Sequence, residues 1–128
     1  MDKYKILIIE DDQLLVNMYK TKFEAEGFDV VVANDGASGL AAASTYKPNA
    51  IVLDIMMPKL SGIDFLRELG KDDWLKSIPV LVLTNLSQQD EAKKAIELGA
   101  KEYLLKASLT PGQVVDKVRT YLQQNPNQ

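Results

Sequence analysis

Cysteine and histidine are both absent from the chain. Without cysteine there are no disulfides and no thiolate metal sites, and the sequence carries no record of its redox compartment. Without histidine, zinc-hydrolase chemistry, imidazole acid–base catalysis and a phosphohistidine on this chain are excluded. No apolar stretch approaches the roughly 18 residues a membrane span requires, and the N-terminus lacks a signal-peptide pattern, so a cytoplasmic location is expected. Positive charge is not in excess either. The net charge of −3 gives no electrostatic reason to expect nucleic-acid binding by this domain.

What remains is an ordinary globular composition. With 128 residues, 46% of them apolar and 26% charged, the chain is long enough for one domain with a sizeable core and too apolar for disorder. Short apolar runs recur with helical segments between them. Lys5 to Ile9 (KILII) is uninterrupted and β-branched, as a strand buried on both faces should be. Asp12 can cap a helix on which Leu15, Tyr19 and Phe23 are spaced by four residues, and Gly27 ends it. Phe28 to Ala33 reads as a strand, Asp35-Gly36 as the turn into an alanine-rich helix through Tyr46, and Pro48 as its end. Ala50 to Leu53 is the next strand, followed by a loop bounded by Pro58 and Gly62 and a helix carrying Phe65, Leu66 and Leu69. Ile78 to Leu83, a helix from about Ser87 to Leu98 closed by Gly99, and Glu102 to Leu105 continue the alternation. Pro111 opens a last helix through Tyr121, before a polar tail.

Five strands alternating with five helices specify an α/β protein, a (βα)5 doubly wound parallel sheet in a single domain. Right-handed crossovers leave few topologies, of which the flavodoxin-like order 2-1-3-4-5 is the commonest at this size. In that order the first and third strands are neighbours at the switch point. Glu10-Asp11-Asp12 follows the first strand, Asp54 the third and Lys106 the fifth, so these groups converge on the carboxyl edge of the sheet. Carboxylates gathered there repel unless protons or a cation offset their charge. A hard divalent ion together with the Lys106 ammonium would do so, leaving Asp54 as a nucleophile for a phosphoryl group. Each residue also has a plainer reading. Glu10 and Asp11 suit a helix N-terminus, Asp54 a polar strand end, Lys106 a solvated surface, Thr84 a β-branched strand position, and Tyr103 the core. The joint placement of the charged groups at strand ends is what folding alone does not require.

Four motifs, ILIIEDD at 6–12, IVLDIMMPKLSG at 51–62, PVLVLT at 79–84 and GAKEYLLK at 99–106, carry a resemblance that spans essentially the whole chain. In this order and spacing the chain resembles a receiver domain of a two-component response regulator, with residues 1–123 as the receiver and 124–128 as a polar C-terminal tail. The resemblance implies that Asp54 is the phosphoacceptor, taking a phosphoryl group from a phosphohistidine on a sensor histidine kinase or phosphotransfer protein. It implies that Glu10 and Asp11 hold Mg²⁺ with Asp54 and the backbone carbonyl of Met56, Asp11 directly and Glu10 through water. Lys106 then pairs with a phosphoryl oxygen, the Thr84 hydroxyl moves to the phosphate, and Tyr103 is the aromatic switch. The domain would catalyse its own phosphoryl transfer and autodephosphorylation, yet act mainly as a signalling switch whose α4-β5-α5 surface is read by a downstream protein or used for a phosphorylation-dependent dimer. No helix-turn-helix or catalytic output domain is visible, which suits a stand-alone or relay receiver, or a fragment of something longer. Leu14 and Met18, four residues apart, suggest a strip for docking a kinase.

The chain departs from the family pattern at several positions. Ala107 follows Lys106 where receivers usually have a cis-proline. A cis bond before a non-proline residue costs about 2.5–4 kcal/mol, so a trans Lys106–Ala107 peptide, or a strained cis one enforced by the sheet, is expected. Asn85 replaces the usual small residue after Thr84 and would narrow the phosphate entrance or alter the acyl-phosphate lifetime. Met56 and Leu86 are apolar and are expected to shield the phosphoryl group. Three other functions compete. An aspartyl-nucleophile phosphatase needs a second acid where Met56 stands. A flavin- or nucleotide-binding module needs phosphate-cradling amides where Glu10-Asp11-Asp12 stands. A degenerate receiver acting only as a protein-binding module remains compatible with Ala107 and Asn85.

Overall fold

A computed structural model describes residues 3–57, 60–85 and 88–124. The strands are β1 (Lys5–Ile9), β2 (Asp29–Ala33), β3 (Ala50–Leu53), β4 (Val80–Thr84) and β5 (Glu102–Leu105). The helices are α1 (Gln13–Ala25), α2 (Gly36–Tyr46), α3 (Gly62–Leu69), α4 (Gln89–Glu97) and α5 (Pro111–Gln124). All strand pairs are parallel and the order is β2-β1-β3-β4-β5, as the alternation of elements predicts.

Strand alternation divides the core into two layers. Ile6 and Ile8 of β1, Ala50 and Val52 of β3 and Leu81 and Leu83 of β4 pack with Tyr19 and Phe23 of α1 and Val114, Val115, Val118 and Leu122 of α5. Leu7, Ile9, Ile51, Leu53, Val80 and Val82 pack on the other side with Ala43 of α2, Phe65, Leu66 and Leu69 of α3 and Ala95 of α4. The central strands are apolar on both faces because both are covered, which is why KILII and AIVL show no polar alternation.

Local chemistry sets the element ends. Asp12 accepts hydrogen bonds from the Leu14 and Leu15 N–H groups at the start of α1. Gly27, at φ 94°, closes it, and Phe28 N–H returns to the Phe23 carbonyl. Phe28 therefore belongs to the helix cap, and β2 begins one residue later than the apolar run suggests. Similarly, β4 begins at Val80 because Ile78 closes a 3₁₀ turn (Leu75–Ser77) and Pro79 has no N–H for the ladder. Thr110 and Gln113 cap α5 reciprocally, with Pro111 at its first position. The helix continues to Gln124, beyond the predicted end at Tyr121. On α1 the buried stripe is Val16, Tyr19 and Phe23, while Leu15 is half-buried and Leu14 and Met18 are exposed.

The chain that follows Asp54 is held by a close approach. A Cβ on Gly62 would lie 2.4 Å from Ile55 Cα, and Gly62 N–H donates to the Ile55 carbonyl. The start of α3 therefore rests directly on backbone beside Asp54. Gly62→Ala should destabilise the fold by about 1–3 kcal/mol, read as a lower denaturation midpoint at unchanged m-value. An unchanged midpoint would show that α3 moves freely relative to β3.

Candidate functional site

Glu10 and Asp54 extend their strands by one ladder bond each, Glu10 N–H to the Ala33 carbonyl and Asp54 N–H to the Ile9 carbonyl. Both side chains then sit at the carboxyl edge, where β1 and β3 are neighbours. They are buried, at 4% and 6% exposure, while Asp11 beside them is exposed. Carboxylate oxygens of Glu10, Asp11 and Asp54 all lie within 4.8 Å of one another. Lys106 reaches into this group from the end of β5. Its Nζ donates to Asp54 Oδ2 at 3.0 Å and to Glu10 Oε1, and its side chain is almost wholly buried. No cis peptide occurs among the described residues, so the Lys106–Ala107 bond is trans, and Ala107 in place of proline does not displace the lysine from the acids.

The second oxygen of each buried acid also accepts one backbone hydrogen bond. Asp12 N–H donates to Glu10 Oε2 at 3.1 Å, and Met56 N–H donates to Asp54 Oδ1 at 2.9 Å. Burial, reinforced by the charge of Asp54, holds the Glu10 carboxyl above its ordinary value against the hydrogen bonds from Lys106 and Asp12. Burial alone would lower the Lys106 ammonium, but the hydrogen bonds and charges of Glu10 and Asp54 outweigh it and hold the amine above the usual lysine value. The lysine is therefore a fixed positive charge between two carboxylates.

Thr84 is fully buried at the end of β4, in register with Leu105, the residue before Lys106. Tyr103, in register with Val82, is half-buried against the α2–α4 layer. Burial raises its phenol above the ordinary tyrosine value, and the charges of Glu91 on α4 and of Asp54 add to that shift. Met56 is 55% exposed, and Asn85 is exposed. Pro58 and Leu86, expected to shape the loop and to shield the site, lie outside the described residues, as does the tail from 125 onward. The Asp12 amide was not foreseen as a partner of Glu10. A backbone donor has no residue signature, and only the helix-capping role of its side chain is readable.

Hard, clustered carboxylate oxygens are the donor set of Mg²⁺ or Ca²⁺, and the residues present fit such an ion. The fold and site thus define a doubly wound α/β domain with an acid–lysine pocket at its topological switch point. The chain belongs to the response regulator receiver domain family, whose sequence profile matches residues 6–119. It is 35% identical over 121 residues to the alkaline phosphatase synthesis transcriptional regulatory protein PhoP of Bacillus subtilis, covering 94% of this chain and 49% of that protein. It is 32% identical over 126 residues to the DNA-binding response regulator MtrA of Mycolicibacterium paratuberculosis, covering 98% and 54%. The receiver domain of Francisella response regulator 1452 superposes with a TM-score of 0.87 at 31% identity, covering 96% of this chain and 99% of that one. The chain spans about half the length of the curated relatives it matches. Receiver domains generally use Mg²⁺, and Glu10, Asp11 and Asp54 form the cluster that could hold it. Among the described residues no helix is long and apolar enough to cross a membrane.

An ion bound only by the folded state stabilises it by mass action, by about 2.7 kcal/mol at a concentration one hundred times its Kd. Saturating Mg²⁺ should therefore raise the thermal midpoint of the native chain. Asp11→Asn removes an exposed acid from the cluster, so it should melt no lower than native without metal and lose most of the Mg²⁺-dependent rise. Equal rises in both proteins would place the ion elsewhere.

Proposed function

We propose that this domain accepts a phosphoryl group on Asp54 from the phosphohistidine of a sensor histidine kinase or phosphotransfer protein, and passes the signal to a downstream protein through its α4-β5-α5 surface. The observation that carries this reading is the bond of Lys106 Nζ to a buried Asp54 that already lies within a carboxylate cluster. An oxygen of Asp54 attacks phosphorus as the P–N bond to the partner's imidazole breaks, and the acyl phosphate formed keeps the transfer energy. Lys106 is the group placed to leave the ground-state carboxylate and pair with a phosphoryl oxygen as charge develops there. Glu10, Asp11, Asp54 and the Met56 carbonyl would hold Mg²⁺, which supplies neutralising charge to the phosphoryl oxygens when bound.

The phosphoryl group adds about −1.5 to −2 charge and new acceptor oxygens at neutral pH. Thr84 and Lys106, at the ends of adjacent strands, are the donors that can answer it. In this reading Thr84 moves towards the phosphate, Tyr103 fills the space it leaves, and α4, β5 and α5 present an altered face. The packing of Tyr103 against the α2–α4 layer, on the strand that leads to Lys106, supports this route from the pocket to α4. The partners named by this chemistry belong to the cytoplasm, and so does the domain. Binding of nucleic acid, which the name of the MtrA regulator ascribes to that longer protein, is not assigned to this domain.

Incubation with Mg²⁺ and a small acyl-phosphate donor should add one phosphoryl mass to the native chain and none to Asp54→Asn. Retention of the added mass in Asp54→Asn would move the acceptor elsewhere, and no gain in either chain, with a histidine kinase also tried, would favour the degenerate-receiver alternative. Lys106→Met should slow phosphorylation by roughly a hundredfold, the typical effect of removing one preorganised donor. Thr84→Ala should still be phosphorylated but should lose the phosphorylation-dependent change in hydrogen exchange over α4, β5 and α5. An unaltered exchange response in that variant would remove Thr84 from the switch.

A further inference from the structure

The strand alternation that builds the core also decides which helix lies beneath the reactive groups. Even-numbered residues of β1 and β3, namely Ile6, Ile8, Ala50 and Val52, face α1 and α5, and so does Leu104 of β5. Glu10, Asp54 and Lys106 continue that parity one step beyond the strands. Thr84 does not. It follows Val82, on the α2–α4 side. The apolar layer directly under the acid–lysine group is therefore the one shared by α1 and α5, and among its fully buried members Tyr19 is the only side chain with a polar atom.

Tyr19 is 2% exposed, on the buried stripe of α1. Its Cα stands about 10 Å along the helix from the Asp12 cap, at a rise of about 1.5 Å per residue. Helical side chains lean towards the N-terminus of their helix, so the ring rises towards the end of α1 that carries Asp11 and Asp12. Leu104 and Leu109, on either side of Lys106 in the chain, pack against the same cluster as the ring. Burial raises the Tyr19 phenol above its ordinary value, and the two charges that act on it are those of Lys106 and Glu10, in opposite senses.

We propose that Tyr19 is a positioning residue for Lys106: the buried ring walls the lysine stem and its hydroxyl end lies under the Lys106–Glu10 pair, keeping the amine aligned with Asp54. An aliphatic side chain at this place would fill the layer equally well but would offer no dipole to two buried charges, whose stability depends on polar contact. The inference rests on the proposed role of Lys106 in phosphoryl transfer.

The test uses Tyr19→Phe, which keeps the ring, and Tyr19→Leu, which keeps only apolar volume. The Lys106 side-chain NMR signal, assigned by its loss in Lys106→Met, should move in both variants in the absence of donor and metal, with the larger change in Tyr19→Leu. The rate of phosphorylation by a small acyl phosphate should fall roughly two- to tenfold in Tyr19→Phe, the modest effect expected for losing one polar group beside two buried charges. In a Lys106→Met background the same substitution should change the rate less than about twofold, because the residue acts through the lysine. A Lys106 signal unmoved by Tyr19→Phe, or an equal rate loss in both backgrounds, overturns the proposal. If the native chain takes up no phosphoryl group, the phosphotransfer reading fails, and the NMR comparison still decides whether Tyr19 positions the lysine.

Discussion

The contact on which this molecule turns is the ammonium of Lys106 held between two buried carboxylates. Glu10 and Asp54 are placed side by side by the pairing of β1 with β3, and Asp11 adds a third acid to the same small volume. Like charges in that arrangement oppose folding unless something answers them. One amine gives two contacts for three acids, so the pocket is left with negative charge to spare. That imbalance is a physical reason for a divalent cation to fit the cluster, and it would make the lysine a partner that can be exchanged. In the proposed transfer, the phosphoryl oxygens would compete with the carboxylates for the same amine.

The rest of the fold serves to keep these groups from relaxing apart. Central strands that are apolar on both faces give the sheet edge little freedom to slide, since any slip would break two packed layers at once. The Asp12 cap ties the start of α1 to the acids, because the residue that begins the helix also donates its amide to Glu10. The approach of Gly62 to Ile55 does the same for the segment after Asp54. Exposed ion pairs such as Lys71 with Glu68 or Lys76 with Asp73 are of a different kind. They are screened by solvent and contribute little.

Much of this was legible in the sequence, for identifiable reasons. Uninterrupted apolar runs mark strands covered on both sides, and the regular spacing of helical segments between them leaves few ways to wind the sheet. The convergence of Glu10, Asp11, Asp54 and Lys106 follows from strand order alone. Element ends were less legible where backbone chemistry overrode hydrophobicity: Phe28 is apolar but its N–H closes α1, and Ile78 is apolar but precedes a proline that cannot join the ladder. The Asp12 amide was illegible because every residue but proline carries one. Tyr19 lies on the helical stripe that the four-residue spacing with Leu15 and Phe23 marks, and it is buried in the core. Its relation to the pocket appears only when strand parity shows which layer lies below the acids.

That parity has a further consequence for how a signal could travel. By strand parity Glu10, Asp54 and Lys106 fall on the α1–α5 side of the sheet, whereas Thr84 and Tyr103 fall on the α2–α4 side. A group bound to Asp54 at the carboxyl edge is therefore the natural bridge between two layers that the sheet otherwise keeps apart. Lys106 sits one residue beyond Leu105, which pairs with Thr84, so the two donors are covalently and laterally coupled through β4 and β5. In the proposed switch, pulling both towards one added phosphoryl group would change the packing on the second layer, because a dense interior adjusts by switching between packed arrangements more readily than by stretching. The sheet edge then joins the two layers: Lys106 lies over the side of α1 and α5 and Thr84 over the side of α4, so the α4-β5-α5 surface draws on both.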